Sequence, residues 1–293
     1  MSDPFPGAPP EFRVLRDRFD EALRDFLGAR HEEFEWSEPD ATLLVDEMVR
    51  LLDAGGKRLR PAFCYWGYRA VGGEDDDHIV RAASALELLH TMAIVHDDLM
   101  DEAKERRGVE SSRVHLAGEA GRRGLVGAPD LFGWSVAILV GDLSAVFADK
   151  LFLEAGFQPA ATLRALERYH RMRIDMGVGQ YLDIAGLAGE AGTARRAAAL
   201  KGGAYTVEGP LMVGATLGGG SMHALAQLSR FGAPLGEAFQ LRDDLEDGEG
   251  SHGATPATVN DLVDQAIASF EGTELAPDAV EALRTLARLV AMR

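Results

Sequence analysis

Apolar residues recur every three to four positions through most of the chain, which is the period of an amphipathic helix. In the first such stretch the apolar side consists of Phe12, Leu15, Phe19, Leu23 and Phe26. The period-two alternation that is typical of strands is scarce. The pattern therefore predicts an all-α fold. Helices are predicted over residues 11–34, 39–52, 78–104, 134–156, 159–187, 193–218, 222–247, 259–270 and 277–292, with one more beginning near Pro61.

The stretches outside the helical pattern are few. Residues 1–10 are rich in proline and are predicted to be disordered, and the rest, 11–293, is predicted to be one domain because nothing in it resembles a linker. Residues 118–133 are Gly-rich and are predicted to be a mobile connection, without the lysine and hydroxyl of a phosphate loop. No apolar run is judged long enough to span a membrane, and no signal-peptide pattern opens the chain. The single cysteine, Cys64, is expected to be buried, which suits a cytoplasmic protein.

An acidic motif ends the apolar helix over residues 78–104. Asp97, Asp98 and Asp101 are three or four positions apart, so their carboxylates crowd one helix face and repel each other unless cations neutralise them. Mg2+ prefers such oxygen ligands together with phosphate oxygens and water. The same spacing recurs at Asp243, Asp244 and Asp247. One motif alone is more typical of a solvated helix end, but two such helices facing each other across a cavity would hold a metal cluster.

The charge distribution indicates an anionic ligand. The chain carries 30 basic and 47 acidic residues and a net charge of −17, which argues against nucleic acid. Five cations nevertheless cluster near the motifs, namely Lys57, Arg58, Arg60, Arg106 and Arg107. The glycines before Lys57 stop one helix and Pro61 begins another, so free backbone N–H groups there could bind an anion; a solvated turn between helices is the alternative. Lys201 lies among apolar residues, where it either snorkels to water or meets an anion.

Seven motifs along the chain carry a resemblance to a known family. They are GGKRLRP (55–61), HTMAIVHDDLMD (90–101), RRG (106–108), GDL (141–143), GQYLD (179–183), LKGGAYTVEGP (200–210) and GEAFQLRDDLED (236–247). In this order they are similar to those of the trans-isoprenyl diphosphate synthases, the polyprenyl synthetase family. The resemblance implies an isoprenoid-synthase-type helical bundle around a central cavity, usually a homodimer. It also implies isopentenyl diphosphate and allylic diphosphates as substrates, with three Mg2+ ions.

The resemblance also implies roles for individual residues. Asp97, Asp101 and Asp243 would bind Mg2+ directly. Asp98, Asp244 and Asp247 would support them, Asp247 being counted with the metal set, and Lys201 completes the predicted catalytic set. Arg106 and Lys201 would hold the allylic diphosphate. The diphosphate of isopentenyl diphosphate would be held by Lys57, Arg60, His90 and Arg107. The rest of the predicted substrate-binding set is Gln180, Asp183, Thr206 and Gln240. From the sequence alone His90 could equally be a buried core histidine.

Product length in the family depends on residues one or more turns before the first aspartate. Bulky aromatics four and five positions before it shorten the product, whereas here Ala93 and Met92 occupy those places, with Leu89 a turn further back. These residues favour a C20 product, geranylgeranyl diphosphate, or a somewhat longer one, over C15.

Two features depart from the family pattern. The Gly-Lys segment that usually follows the second aspartate motif is missing, and no lysine follows Lys201. Gly202 also stands where many members have a hydroxyl residue. The missing segment leaves open a non-catalytic partner subunit of a prenyl synthase, although both aspartate motifs argue against it. A class I terpene cyclase is a further alternative, but it would not need the GGKRLRP motif.

Overall fold

The computed structural model describes residues 9–125, 127–185, 196–197, 199–246 and 255–291. Almost all of this chain is helical, which confirms the predicted all-α class. The helices α1 to α11 are Pro10–Ser37, Thr42–Asp53, Leu59–Ala70, Asp77–Met100, Ser112–Arg122, Pro129–Leu153, Pro159–Ile184, Gly209–Leu217, Met222–Glu246, Pro256–Ala268 and Pro277–Ala291. A 3-10 turn, Pro39–Ala41, precedes α2, and a π-helical segment, Ala199–Glu208, precedes α8. Strands β1 (Glu105–Arg106) and β2 (Val109–Glu110) form an antiparallel hairpin.

Three predictions fail in detail. Helix α4 ends at Met100 and not near Lys104, because the backbone turns left-handed at Glu102, φ 52°, and continues into the hairpin. Residues 118–133 are not a mobile connection throughout, since α5 extends to Arg122 and α6 already begins at Pro129. Finally, the helix predicted over 193–218 is π-helical over Ala199–Glu208 and α-helical over Gly209–Leu217. Residues 1–8 lie outside the described residues, so the predicted disorder of the N-terminus stays a prediction. The prediction of one domain over 11–293 also stays a prediction.

The backbone forms two compact units, and the first comprises Met1–Arg58 and Val80–Ala155. The apolar residues of α1 that recur at helical spacing, such as Phe19 and Leu23, are buried there as predicted. From Val80 onward α4 is apolar on nearly all sides, which is typical of a central helix; Leu86 and Leu89 are fully buried. The core of this unit therefore surrounds the helix that ends in the first aspartate motif.

The second unit comprises Leu59–Ile79 and Gly156–Arg293. Helices α3 and α8 cross there with their backbones in direct contact, because glycine stands at the crossing in both helices. A Cβ atom on Gly67 would collide with the carbonyl of Leu211, and one on Gly214 with the carbonyl of Cys64. Cys64 is fully buried, as predicted, and burial raises the pKa of its thiol.

In the part of the chain that the structure describes, two helices are long and apolar enough to cross a membrane by length and composition alone, which the sequence analysis did not expect. In α4, 72% of the apolar window is buried inside the protein, as expected of a core helix. In α6 only 39% of the window is buried. Length and composition alone are weak indications of a membrane span, and an exposed apolar helix face is also what a protein–protein contact requires.

Candidate active site

The first aspartate motif lies at the last turn of α4. Asp97 is partly exposed and Asp101, just beyond the helix, is exposed, whereas Asp98 is only 2% exposed. The backbone N–H of Asp101 still donates to the carbonyl of Asp97, 2.9 Å away, and the N–H of Ala103 donates to that of Asp98. The helix end thus presents Asp97 and Asp101 to solvent and turns Asp98 inward.

The hairpin after α4 delivers two arginines to different places. Its two-residue turn consists of Arg107 and Gly108, both with positive φ, 55° and 76°, as a type I′ turn requires. Arg106 turns back to α4: its Nε donates to Asp98 Oδ1 at 2.7 Å and its Nη2 to Asp97 Oδ2 at 3.1 Å. The neighbouring Arg107 lies in the turn of the hairpin itself.

Burial and the charge of the partner shift the pKa of each member of the Asp98–Arg106 pair in opposite directions. Burial raises the pKa of Asp98, and Arg106 opposes that rise without cancelling it. Burial alone would lower the pKa of Arg106, but Asp98 and Asp97 raise it above its ordinary value. Arg106 is therefore a permanent cation next to the motif. Asp98, whose carboxylate accepts from this guanidinium, fits the supporting role predicted for it and orients Arg106.

Arg107 contacts the glycine loop between α2 and α3. Its Nη1 donates to the carbonyl of Gly55, and its Nη2 lies 3.5 Å from Nε2 of His90. His90 is partly exposed on α4, so it is not an enclosed core histidine. Within the first unit the structure thus brings together Arg107, His90 and the loop that carries Lys57, three of the four residues predicted for isopentenyl diphosphate.

Arg58 does not belong to the anion-binding cations with which the sequence grouped it. Its side chain is 3% exposed and pairs with Asp20 and Glu87, each at 2.7 Å. Burial alone would lower the pKa of Arg58, but Glu87 and Asp20 raise it. One signal in the sequence pointed to this pairing, since Glu87 is the lone charge in the apolar run of α4. A buried acid there requires a cation.

The fourth predicted residue, Arg60, lies in the second unit at the start of α3. Its Nη2 donates to Thr206 Oγ1 at 2.8 Å, and its guanidinium lies 4.5 Å from the centre of the Tyr205 ring. Thr206 and Tyr205 belong to the π-helical segment, a form that often marks functional sites. The contact links Arg60 to the predicted substrate-binding residue Thr206.

Lys201 is partly exposed and pairs with an exposed side chain, so neither of the two predicted alternatives is met in its simple form. Its Nζ lies 2.9 Å from Oδ2 of Asp183 on α7. Gln180, also partly exposed, precedes Asp183 by three positions and so shares a helix face with it. At the next position a Cβ on Gly202 would collide with the amide of Gln240. Gly202, which replaces the family's hydroxyl residue, thus leaves the space into which the side chain of Gln240 packs.

The second aspartate motif ends α9. Asp243 is partly exposed and Asp244 lies in the same helix, whereas Asp247 lies outside the described residues. Arg242, which the sequence analysis did not single out, is buried and donates from Nη1 to the carbonyl of Val290 at 3.0 Å. This bond ties α9 to α11 immediately before Asp243. The stretch after Asp247, where the sequence lacks the family's Gly-Lys segment, also lies outside the described residues.

The donor chemistry fits Mg2+. Within the part of the chain that the structure describes, no three His, Cys, Asp or Glu side chains converge closely enough to form a metal site by themselves. Carboxylates that supply only one or two ligands each suit Mg2+, which keeps water and phosphate oxygens as its remaining ligands. Asp97 and Asp101 present such carboxylates to solvent. That the two aspartate motifs share ions stays a prediction.

Comparisons with known proteins agree with the motifs. The family model described as polyprenyl synthetase matches residues 42–270. A short chain isoprenyl diphosphate synthase from Methanothermobacter thermautotrophicus is 31% identical over 71% of this chain and 59% of its own length. Farnesyl diphosphate synthase from Geobacillus stearothermophilus is 32% identical over 71% and 67%. Several curated relatives are thus matched over less than two thirds of their length.

A likeness to solved structures extends over nearly the whole chain. Geranylgeranyl pyrophosphate synthase from Corynebacterium glutamicum, solved with isoprenyl diphosphate and magnesium, has a TM-score of 0.83 to this protein. The likeness covers 94% of this chain and 99% of that one at 24% sequence identity. At that identity the likeness shows the fold, which confirms the predicted isoprenoid-synthase type.

Proposed function

Because the chain belongs to the polyprenyl synthetase family, we propose that it is a Mg2+-dependent trans-prenyltransferase. It condenses isopentenyl diphosphate with an allylic diphosphate to give a linear all-trans prenyl diphosphate. The observation that carries the proposal is the end of α4, where Asp97 and Asp101 reach solvent beside an arginine that the buried Asp98 holds. Carboxylates for metal and a fixed cation for phosphate then lie at one place, as diphosphate departure requires.

Asp97 and Asp101 from the first motif and Asp243 from the second are the proposed direct ligands of three Mg2+ ions, with Asp247 in the same metal set. Bound Mg2+ would neutralise the charge that develops on the departing diphosphate. Arg106 and Lys201 donate hydrogen bonds to that diphosphate. Both side chains already contact aspartates, so little reorganisation accompanies the reaction.

The acceptor substrate is held by a separate group of residues. Lys57, Arg60, His90 and Arg107 bind the diphosphate of isopentenyl diphosphate, whose double bond attacks the allylic cation. A proton is then lost, to the released diphosphate. Gln180, Asp183, Thr206 and Gln240 complete the substrate-binding set, and apolar surroundings keep water from quenching the cation.

The proposed product is the C20 chain. Met92 and Ala93 on α4 are partly exposed, whereas Leu89, one turn earlier, is fully buried. Small or flexible side chains at 92 and 93 leave room for a growing tail, and Leu89 does not offer exposed surface to it. Relatives include both farnesyl and geranylgeranyl synthases, so these positions carry the choice between C15 and C20.

The purified protein with Mg2+, isopentenyl diphosphate and a C5, C10 or C15 allylic diphosphate tests the function. We expect a linear C20 diphosphate, identified by mass after dephosphorylation. A cyclic hydrocarbon would identify a terpene cyclase. No product alone, but product after addition of a second prenyl synthase chain, would identify the partner subunit that the missing lysine segment motivates.

Replacement of Ala93 by Phe tests the basis of the product length. The ring would fill the space one turn before Asp97, so we expect the main product to shorten from C20 to C15. The matched control is Val80→Phe, at a buried position near the start of the same helix, where a lower melting temperature without a defined shift in product is expected. An unchanged product from Ala93→Phe would show that the tail is blocked elsewhere.

We also propose that the protein is a cytoplasmic homodimer that uses α6. Five apolar side chains of α6 are between 46% and 67% exposed, namely Leu131, Ile138, Leu139, Val146 and Leu153. The spacing is about two helical turns from Leu131 to Ile138 and again between successive members of Leu139, Val146 and Leu153, so the five side chains form one stripe. An exposed stripe of this kind is typical of a subunit interface.

Leu139→Glu tests the dimer. A carboxylate in the middle of the stripe would be buried without a partner, so we expect the sedimentation mass to fall from two chains to one. Leu125→Glu is the control, since Leu125 is similarly exposed, at 46%, but lies outside α6. A wild-type protein that sediments as one chain in detergent-free buffer would refute the proposed dimer.

A further inference from the structure

The buried ion cluster around Arg58 joins four segments of the first unit. Its Nε donates to Asp20 of α1 and its Nη1 to Glu87 of α4, while its Nη2 donates to the carbonyl of Leu52 in the last turn of α2, at 2.9 Å. The fourth segment is the glycine loop, in which Arg58 itself stands with a left-handed backbone, φ 52°. A long side chain held at so many points has little freedom, so the loop backbone has little freedom either.

The same cluster lies against Arg107. A Cβ on Gly56 would lie 2.7 Å from Arg58 Nη1, 3.0 Å from Arg107 Nη1 and 3.5 Å from Glu87 Oε1. Two guanidinium groups and one carboxylate therefore surround the α-carbon of a single glycine. A side chain at position 56 would displace these groups, and the Glu87 carboxylate is close enough to attract either arginine.

Glu87 pairs with Arg58 and not with Arg107. Glu87 is buried and pairs with Arg58 at 2.7 Å, while Arg107 donates to the carbonyl of Gly55 and lies beside His90. Glu87 and His90 are three positions apart on α4, so both face the loop. A carboxylate already neutralised by Arg58 competes weakly for Arg107. Without Arg58, the buried charge of Glu87 would need another cation.

We propose that Arg58 is a positioning residue for the acceptor diphosphate: by occupying Glu87 and fixing the Gly55–Gly56 loop, it keeps Arg107 oriented for phosphate. The proposal rests on the proposed function, in which Arg107 binds isopentenyl diphosphate. Arg58 acts through Arg107 and does not touch the substrate. The allylic diphosphate is held by other residues, so loss of Arg58 should affect the two substrates differently.

The kinetic test uses Arg58→Met in the full-length protein with Mg2+. We expect KM for isopentenyl diphosphate to rise by about tenfold or more, with KM for the allylic diphosphate within about threefold of wild type. In the Arg58→Met/Glu87→Gln double variant the competing charge is absent although the loop is still less constrained, so KM for isopentenyl diphosphate should fall by about threefold or more from the value of the single variant. Equal rises in both KM values, or a double variant as impaired as the single one, would overturn the proposal.

Controls separate positioning from loss of stability. Leu27→Ala removes a fully buried side chain from the same unit, and Arg69→Met removes an arginine paired with Asp278 in the other unit. Both should keep the wild-type ratio of the two KM values, whereas Arg58→Lys, which retains a cation beside Glu87 but not the three-point contact, should change the ratio less than Arg58→Met does. Should Arg58→Met not fold, Arg58→Gln carries the same test. Wild-type protein without prenyl transfer would refute the proposed function, whereas active wild type with an unchanged ratio in the variants refutes only the role of Arg58.

Discussion

Asp97→Ala is expected to lower kcat by about a thousandfold or more while the protein remains folded. Asp97 is the partly exposed carboxylate at the end of α4, and Nη2 of Arg106 lies 3.1 Å from its Oδ2. Its loss removes a proposed metal ligand, and bound Mg2+ would stabilise the charge of the departing diphosphate. Since that charge develops only as the C–O bond breaks, kcat should fall more than KM rises.

The thermal stability of Asp97→Ala should not fall with its activity. Asp97, Asp98 and Asp101 repel each other, and burial with the neighbouring acids raises the pKa of Asp98. Removing one of the three charges relieves this repulsion, and Arg106 keeps its bond to Asp98. The melting temperature of Asp97→Ala without Mg2+ should therefore equal or exceed that of wild type, while the Mg2+ concentration required for half-maximal rate rises.

A matched surface control is Asp264→Ala on α10, which removes an exposed aspartate from a helix without removing a proposed ligand. It should keep the wild-type rate and Mg2+ requirement. A fully active Asp97→Ala variant would refute the metal role of this motif. If Asp97→Ala lost activity only because it unfolds, its melting temperature would lie well below that of Asp264→Ala.

The extent to which sequence predicts this fold depends on what holds each element. Helix α1 was predicted because Phe19 and Leu23 and their neighbours repeat at helical spacing, and burial of one face is what stabilises it. The hairpin after α4 was missed because each strand has two residues, too few for an alternating pattern, and its turn depends on positive φ at Arg107. Helix α5 was missed because its buried face is short and lies in a Gly-rich stretch.

The candidate site, like the fold, could be predicted from the sequence only in part. Its charged residues could be found by spacing, since Asp97, Asp98 and Asp101 recur in a second copy. Their partners could not, because Arg106 turns towards Asp98 only through the shape of the hairpin. Arg58 was grouped with exposed cations because its neighbours in sequence are basic, whereas its contacts to Asp20 and Glu87 join residues 38 and 29 positions away. Spacing along the chain carries no information at such separations.

The crossing of α3 and α8 shows how a structural contact serves the site. Helix α3 begins with the segment that carries Arg60, and α8 continues the π-helical segment that carries Thr206. The bond of 2.8 Å between these two residues requires the two helices to approach closely. Gly67 and Gly214 permit that approach, since each faces a backbone carbonyl of the opposite helix.

Gly214→Ala is therefore expected to destabilise the protein by about 3 kcal/mol, although alanine normally favours a helix. The added Cβ would collide with the carbonyl of Cys64, which is backbone and cannot rotate away, so the helices must separate. The melting temperature should fall by about 6–12 °C. The control is Gly28→Ala in α1, where no atom lies within 4 Å of the added Cβ and a gain of about 0.5–1 kcal/mol is expected. Calorimetry of both variants decides the matter, because equal melting temperatures would mean that the helices repack around the methyl group and that the close crossing is not required.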